Sequence, residues 1–489
     1  MAISEETFFL DPMAEGTLQK QVQQLVAEGI LSGRFRPGEK MPSTRKLARH
    51  LNVSRITVTL AYTELQADDY LSSLGRSGFY VSANAPQPPK FQPRSSQDTV
   101  DWTRALGRRF SRHGEMGKPS DWRKYRHPFI YGQADQSLFD RANWRLCSLQ
   151  ALGQRDFDAL TGDHFERDDE KLIEFIARQS LPRRGILARP EQILITLGAQ
   201  NALWLTSQVL LTQRRTAAIE NPCYPGLRDI LNQSRCHLHE VPVGDQGLDP
   251  TQLPSEIDAV FCTPSHQCPT AVTMPLENRQ ELLRRAARDD FLIVEDDYDF
   301  EMSFLKPSSP SLKSLDRDGR VIYVGSFSKS LFPGLRLGYL VGSEPFIREA
   351  RALRASVLRH PPGHMQRTAA YFLSLGHYDA LIRRMGQAYF ERRQVMDKAL
   401  RQHGLTIAGS GDFGGSSFWM AAPPEVDTRE LARRLRTKSV LIEPGAPFFD
   451  EARPRHNFYR IAYSSIPSER IAEGVALIAG TLSEMQAEK

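Results

Sequence analysis

Near the N-terminus the apolar positions Leu18, Val22, Leu25, Val26 and Ile30 recur at helical spacing, which predicts a helix with one buried face. Pro37-Gly38 breaks the chain. Ser43, directly after Pro42, is a good N-cap, and Leu47, Ala48 and Leu51 give the short helix behind it an apolar side. Asn52-Val53 then turns the chain and Ser54 caps a third helix. Its residues Val58, Ala61, Tyr62 and Leu65 fall at i, i+3, i+4 and i+7 and face a core. Arg55, Ile56, Thr57 and Thr59 are left outward beside the helix N-terminus. The stretch from Leu71 to Val81 reads as a β-hairpin whose tip, Gly75-Arg76-Ser77-Gly78, is glycine-flanked and basic.

From residue 83 to about 125 this patterning fades. Ala-Pro-Gln-Pro-Pro at 85–89 and Pro93-Arg94-Ser95-Ser96-Gln97 predict an extended linker, and Trp102 to Phe110 a helical stretch within it. From 126 onward, apolar strand-like runs alternate with helical ones. The runs are Gln192–Thr196, Ala217–Glu220, Ala259–Phe261, Phe291–Val294 and Val321–Val324. Such alternation predicts an α/β domain with a buried, mostly parallel sheet. A chain of 489 residues is also too long for one compact core. The expected division is a domain at 1–82, a linker at 83–125 and a second domain at 126–489.

Composition changes this picture little. Apolar content of 40% and charged content of 25% are ordinary for a soluble globular protein. No run of about 18 apolar residues is present to span a membrane. Met1 to Leu10 carries Glu5 and Glu6 without a basic region, which argues against a secretory signal. The five cysteines, Cys147, Cys223, Cys236, Cys262 and Cys268, are odd in number and lack CxxC spacing. They fit a reducing cytoplasm and offer no metal or disulfide framework.

Charge matters through its distribution. The net charge of +5 is mild. Between residues 34 and 55, however, Arg34, Arg36, Lys40, Arg45, Lys46, Arg49 and Arg55 face one acid, Glu39. Alone, such a run is as readily a solvated surface. The order helix, capped helix, turn, capped helix, basic hairpin is more specific. A recognition helix meets base edges and phosphates with its N-terminal residues, and a wing of this kind sets Arg76 against a phosphate or in the minor groove.

The second domain carries candidate chemistry at strand ends. Lys329, in Gly325-Ser326-Phe327-Ser328-Lys329-Ser330-Leu331, follows a buried strand among small and apolar residues. Burial disfavours its charged form and favours a nucleophilic amine. The hydroxyls of Ser326 and Ser328 and the cation of Arg336 suit a phosphate. Ile193 to Ala202 reads as strand, tight turn and helix, so the amides of Gly198, Ala199 and Gln200 point at an anion. Asp296 and Tyr298, at period two after the run Ile293-Val294, point the same way. Each motif alone also has an ordinary structural explanation; their order along the chain carries the weight.

The N-terminal motifs Pro37 to Arg45, Val53-Ser54-Arg55, Thr57-Val58, Ala61-Tyr62 and Gly75-Arg76 resemble the GntR family of winged helix-turn-helix regulators. The Lys329 stretch, through Leu335-Arg336-Leu337-Gly338, resembles fold-type I pyridoxal phosphate enzymes. Together the halves resemble the MocR subfamily of GntR regulators, and most of all its taurine-responsive group. The resemblance implies an α+β winged helix followed by an α/β aminotransferase-like domain, with a large, mostly parallel sheet and a small C-terminal subdomain from about 375. It implies pyridoxal 5'-phosphate on Lys329, with Asp296 at the pyridine nitrogen, making the ring an electron sink. Tyr224 would stack on the ring, Tyr298 and His266 would lie near its oxygen, and Arg460 would clamp an effector's acid group. DNA contacts are expected from Arg45, Lys46, Ser54, Arg55, Thr57, Thr59, Arg76 and Ser77. The implied partners are double-stranded promoter DNA, a small amine effector that forms an external aldimine, and a second copy in a head-to-tail, domain-swapped homodimer. Activation of an amine-catabolism operon and a residual aminotransferase half-reaction belong to the same expectation.

Three departures matter. Aminotransferases have Asn-Pro-Thr-Gly where this chain has Cys268-Pro269-Thr270-Ala271, and their usual Gly-Tyr-x-x-Leu-Arg is here Phe165 to Leu172. Position 226 is Gly where the GABA-sensing member has an arginine, which argues against GABA as the signal. Competing readings are a working aminotransferase with an accessory DNA module, and a DNA-binding module with a cofactor-free domain.

Overall fold

The computed structural model describes residues 2–11, 16–73, 75–86, 100–107, 110, 118–133 and 135–488. The predicted linker segment Pro93–Gln97 lies outside the described residues. Contacts divide the chain into two units, residues 1–108 and 109–489.

The first unit is a winged helix. Helix α1 (Leu18–Leu31) buries Val22, Val26 and Ile30. Helix α2 (Thr44–His50) and helix α3 (Arg55–Ala67) begin as the capping pattern predicts: Ser43 Oγ accepts from Lys46 N–H, and Ser54 Oγ from Thr57 N–H. Each cap satisfies one of the amide groups left free in a first helical turn. The predicted inner face of α3, Val58, Ala61, Tyr62 and Leu65, is buried. Strands β1 (Leu71–Ser73) and β2 (Phe79–Val81) pair antiparallel, with Leu71 opposite Val81. Phe8 also enters this core at 1% exposure, 5.3 Å from the ring of Phe35. Periodicity cannot reveal a single aromatic in so short a lead-in.

The second unit centres on a sheet of β3 (Ile193–Thr196), β4 (Thr216–Asn221), β5 (His237–Gly244), β6 (Gly247–Leu248), β7 (Ala259–Cys262), β8 (Leu292–Asp296), β9 (Val321–Ser326) and β10 (Gly338–Val341). Their order is β3-β10-β9-β8-β7-β4-β5-β6. Strands β9, β8, β7, β4 and β5 run parallel; β10 runs antiparallel to both neighbours, and β6 to β5. The central strands read as unbroken apolar runs because both faces are covered. Apolar clusters lie on the two sides: Ile195, Tyr339, Tyr323, Ile293 and Val260 face one way, and Leu194, Leu340, Val294 and Phe261 the other.

Toward the C-terminus a second, antiparallel sheet forms from β11 (Thr406–Ser410), β12 (Ser417–Ala421), β13 (Glu443–Pro444) and β14 (Phe458–Ala462), in the order β11-β12-β14-β13. It places Glu443 directly opposite Arg460. No helix among the described residues is long and apolar enough to cross a membrane.

Candidate functional site

Two surfaces gather the predicted residues. On the winged helix, Arg45 and Lys46 are exposed at the start of α2, and Arg55 and Thr59 on the first turns of α3. Ile56 is 70% exposed between them. Thr57 is half-buried, and its hydroxyl lies 2.8 Å from Ser54 Oγ. Ser54 thus works as the cap, and Thr59 Oγ1 donates to Arg55 C=O at 2.8 Å. Gly75 to Ser77 form a single turn at the hairpin tip, flanked by glycines at φ 53° and 103°. Ser77 is exposed; the Arg76 side chain lies outside the described residues.

In the second unit, a cavity of about 320 Å³ opens at the carboxyl ends of the parallel strands, where open α/β sheets bind ligands. Ser326 ends β9, and its hydroxyl accepts from Ser328 N–H at 3.2 Å. Gly198, at φ 80°, starts helix α4 (Ala199–Leu210). A Cβ there would sit 3.5 Å from Ser328 Oγ. Ala199, Gln200, Ser326, Ser328, Lys329 and Arg336 share the cavity wall, so first-turn amides, hydroxyls and a guanidinium converge as an anion requires. Arg336 holds a left-handed backbone, φ 52°. Tyr224, Asp296, Tyr298 and Arg460 complete the predicted lining.

His266 is not brought onto that lining. It is buried, neither ring nitrogen has a hydrogen-bond partner, and its carbonyl accepts from Tyr298 Oη at 3.0 Å. Burial pushes its pKa down to about 4. The expectation that its ring lies beside a cofactor oxygen rested on motif continuity; the fold turns the backbone, not the ring, toward Tyr298. A larger open groove of about 830 Å³ lies elsewhere, lined by charges such as Arg351 and Asp168, and holds none of the predicted chemistry.

The walls also include residues that the sequence did not single out. Tyr131 has Lys329 Nζ 4.3 Å and Arg460 Cζ 4.1 Å from its ring centre. A Cβ on Gly132 would collide with Lys329 Nζ. Glu443 Oε2 accepts from Arg460 Nε at 2.9 Å and from Tyr131 N–H at 3.3 Å. Cys268, which replaces the usual asparagine, lies with Sγ 3.9 Å from Arg460 Nη1. Burial raises this thiol to about 11, so it is uncharged. The only signal for Tyr131 and Gly132 was an aromatic-Gly pair after the apolar run Phe129-Ile130. Glu443 had none.

The Phe165–Leu172 stretch is structural. Asp168 accepts from Arg354 Nη1 at 2.6 Å and Arg351 Nη1 at 2.7 Å, and Asp169 caps the helix Glu170–Phe175.

Electrostatics separate the groups by role. Burial lowers the Lys329 pKa, although Asp299 opposes this. Burial and then Asp297 raise Asp296 to about 7. Asp296 Oδ1 is buried without a partner. A buried acceptor left unmade is costly, and a protonated ring nitrogen in the cavity is the kind of donor it lacks. The donor set therefore fits pyridoxal phosphate: anion-binding amides and hydroxyls, a depressed lysine, and an unpaired carboxylate on one wall.

Comparison with known proteins agrees with this geometry. Residues 18–81 match the bacterial regulatory proteins of the gntR family, and residues 161–478 match aminotransferase class I and II. The chain is 59% identical to the HTH-type transcriptional regulator TauR of Rhodobacter capsulatus, covering 99% of this chain and 100% of that protein. It is 31% identical to the probable rhizopine catabolism regulatory protein MocR of Rhizobium meliloti, over 95% and 94% of the two chains. Among solved structures it resembles the α-aminoadipate aminotransferase LysN of Thermus thermophilus, at TM-score 0.71 and 28% identity over 80% of this chain and 100% of that one. The Pyrococcus horikoshii kynurenine aminotransferase matches at TM-score 0.69 and 25% identity, over 78% and 96%. A DNA-binding winged helix joined to an aminotransferase-like domain, in one chain alike from end to end to TauR and MocR, places this protein in the MocR-type group of GntR transcription regulators.

Proposed function

We propose that this regulator senses a small amine through pyridoxal 5'-phosphate held on Lys329, and that taurine is its effector. The observation that carries the reading is the convergence in one cavity of Lys329, the unpaired Asp296 carboxylate and the anion-binding group Ser326, Ser328 and Arg336. When bound, the cofactor supplies a carbonyl carbon that bonds amines reversibly. Lys329, kept toward its neutral form by burial, is the residue that an effector amine replaces. Arg460 is the cation for the effector's acid group, and taurine comes from the name of the 59% identical relative.

In this reading residues 1–82 bind promoter DNA, 83–125 link, and 126–489 sense. Arg45, Lys46, Arg55, Thr57, Thr59, Arg76 and Ser77 face the duplex. The protein acts as a homodimer on two half-sites in the cytoplasm and activates an amine-catabolism operon. The effector shifts the DNA-bound arrangement only by its differential affinity for the two states.

The test is a visible-absorbance titration of cofactor-loaded protein with taurine, GABA and β-alanine, run beside operator binding. Taurine should perturb the cofactor band and DNA binding over the same concentration range. Sustained conversion of these amines to aldehydes, with a 2-oxo acid added as amino-group acceptor, would favour a working aminotransferase instead.

A further inference from the structure

The clamp arginine is already engaged. Arg460 is 4% exposed and donates through Nε to Glu443, its cross-strand partner, which also accepts from Tyr131 N–H. Both lie on the cavity wall with Lys329. With Nε taken, the guanidinium, which lies against the Tyr131 and Phe448 rings, offers a ligand its remaining edge, where among the described residues Nη1 hydrogen-bonds only the uncharged Cys268 sulfur.

The amine end of the cavity is flanked by acids as well. The carboxyl groups acting on Lys329 are Asp299, which burial raises to about 7, and Glu443. Asp299 Oδ2 accepts from Tyr131 Oη at 3.3 Å and is 5% exposed. Once a cofactor occupies the Ser326, Ser328 and Arg336 cradle and meets Asp296, the wall offers the effector one cation, Arg460, and beside it one carboxyl group, Glu443; Asp299, bonded to the Tyr131 hydroxyl, lies off that wall.

We propose that Glu443 is a specificity-determining residue of the effector site: it holds Arg460 half-neutralised, so the site admits amines bearing one acid group and rejects those bearing a second. This rests on the amine-sensing reading above. A second anion must either compete with Glu443 for Arg460 or lie beside Glu443, and like charges juxtaposed in a desolvated site are strongly disfavoured. Small ω-amino monoacids fit this charge balance. Their counterparts with a carboxylate on the amine-bearing carbon do not.

Two matched pairs test the idea. L-Aspartate is β-alanine with an added carboxylate, and L-cysteate is taurine with one. The ratio of dissociation constants, diacid over monoacid, is measured by absorbance titration of the cofactor-loaded full chain and by the thermal shift each ligand gives. Wild type should disfavour each diacid by at least about tenfold. Glu443→Gln should shrink that ratio by about tenfold or more, whereas Glu443→Asp, which keeps the charge, should preserve it. A ratio unchanged in Glu443→Gln overturns the proposal. So does a wild type that binds L-aspartate as tightly as β-alanine, a result that needs no variant to fold. If no amine perturbs the wild-type cofactor, the sensing reading itself fails, an outcome distinct from loss of selectivity.

Discussion

Asp296 and Asp297 are consecutive residues held in opposite states. Asp297 Oδ2 accepts from Arg184 Nε at 2.7 Å and Tyr323 Oη at 2.9 Å. Burial works against its charge, but Arg184 prevails and keeps the carboxyl below its ordinary range. Asp296 has no such partner, and burial with the charge of Asp297 raises it to about 7. The network holds one acid charged and leaves the next in need of a cation. Asp296→Asn should therefore weaken cofactor binding by at least about tenfold, since a hydrogen bond to a charged group contributes about 1.5–3 kcal/mol. Equilibrium titration of the cofactor-free protein reads this directly. Unchanged affinity would mean that Asp296 does not face the ring.

The same burial makes cofactor-free stability depend on pH. Burial raises Glu220 and Asp296 to about 7 and Glu301 to about 8. The folded chain thus keeps protons on these groups that the unfolded chain has lost near pH 4. Stability falls with rising pH wherever the native state binds more protons. His266, held near 4, works the other way below its unfolded value of about 6.5, and Lys329, lowered by burial, opposes the carboxyls above that, where Glu295 and Asp299, also raised to about 7, add to the fall. The clear window is therefore about pH 6.5 to 8. The thermal midpoint of cofactor-free protein should drop across it, and bound cofactor should reduce the drop by pairing with Asp296. A midpoint rising across this window would contradict the assignment.

Much of the site was legible because its members sit in short local motifs at strand ends. Ser326, Ser328, Lys329 and Arg336 follow one strand, and Asp296 with Tyr298 follows another. A strand end and the loop behind it fix where such side chains go, whatever the rest of the fold does. Tyr131 and Glu443 lie 312 residues apart yet share a hydrogen bond. No spacing along the chain encodes that approach. His266 marks a limit of such motifs, since the loop keeps its ring off the cavity lining and turns its carbonyl to Tyr298. Strand β10 was missed because Gly338–Val341 is short, and periodicity says nothing about strand direction.

Lys329→Ala should fold and lose the covalent cofactor. The side chain is buried at a cost to its charge, so its removal spares the protein a desolvated ammonium. The winged helix does not need it. The variant should lack a hydride-reducible visible band and give no effector response, while retaining operator binding in a mobility-shift assay. A reducible band on the variant would place the attachment elsewhere.

Gly132→Ala should block the lysine without touching it. Gly132 has φ 70°, where an L side chain is strained, and an added Cβ would run into Lys329 Nζ. The expected result is a folded protein, by circular dichroism, whose cofactor affinity falls at least about tenfold, the equivalent of about 1.4 kcal/mol. Full affinity in the alanine variant would show that the Tyr131–Gly132 segment does not close over the amine.

Neighbouring residues of the winged helix should fail differently. Ser54 caps α3 by accepting from Thr57 N–H at 3.1 Å. Ser54→Ala should lower the stability of this unit by about 1 kcal/mol, the usual effect of removing an N-cap, and weaken DNA binding only through that loss. Arg55 is exposed on the first turn, and among the described residues its side chain bonds only Thr44 Oγ1, 3.5 Å from Nε. Arg55→Ala should leave the thermal midpoint unchanged. If Arg55 meets a phosphate, affinity should fall about equally across operator sequences, and the slope of log affinity against log salt should shrink by about 1. If it meets a guanine edge instead, the loss should be about 1–3 kcal/mol at one base pair, with the slope less altered. Affinity measured at several salt concentrations on native and substituted operators separates the two. Equal affinity at every salt concentration would remove Arg55 from the interface.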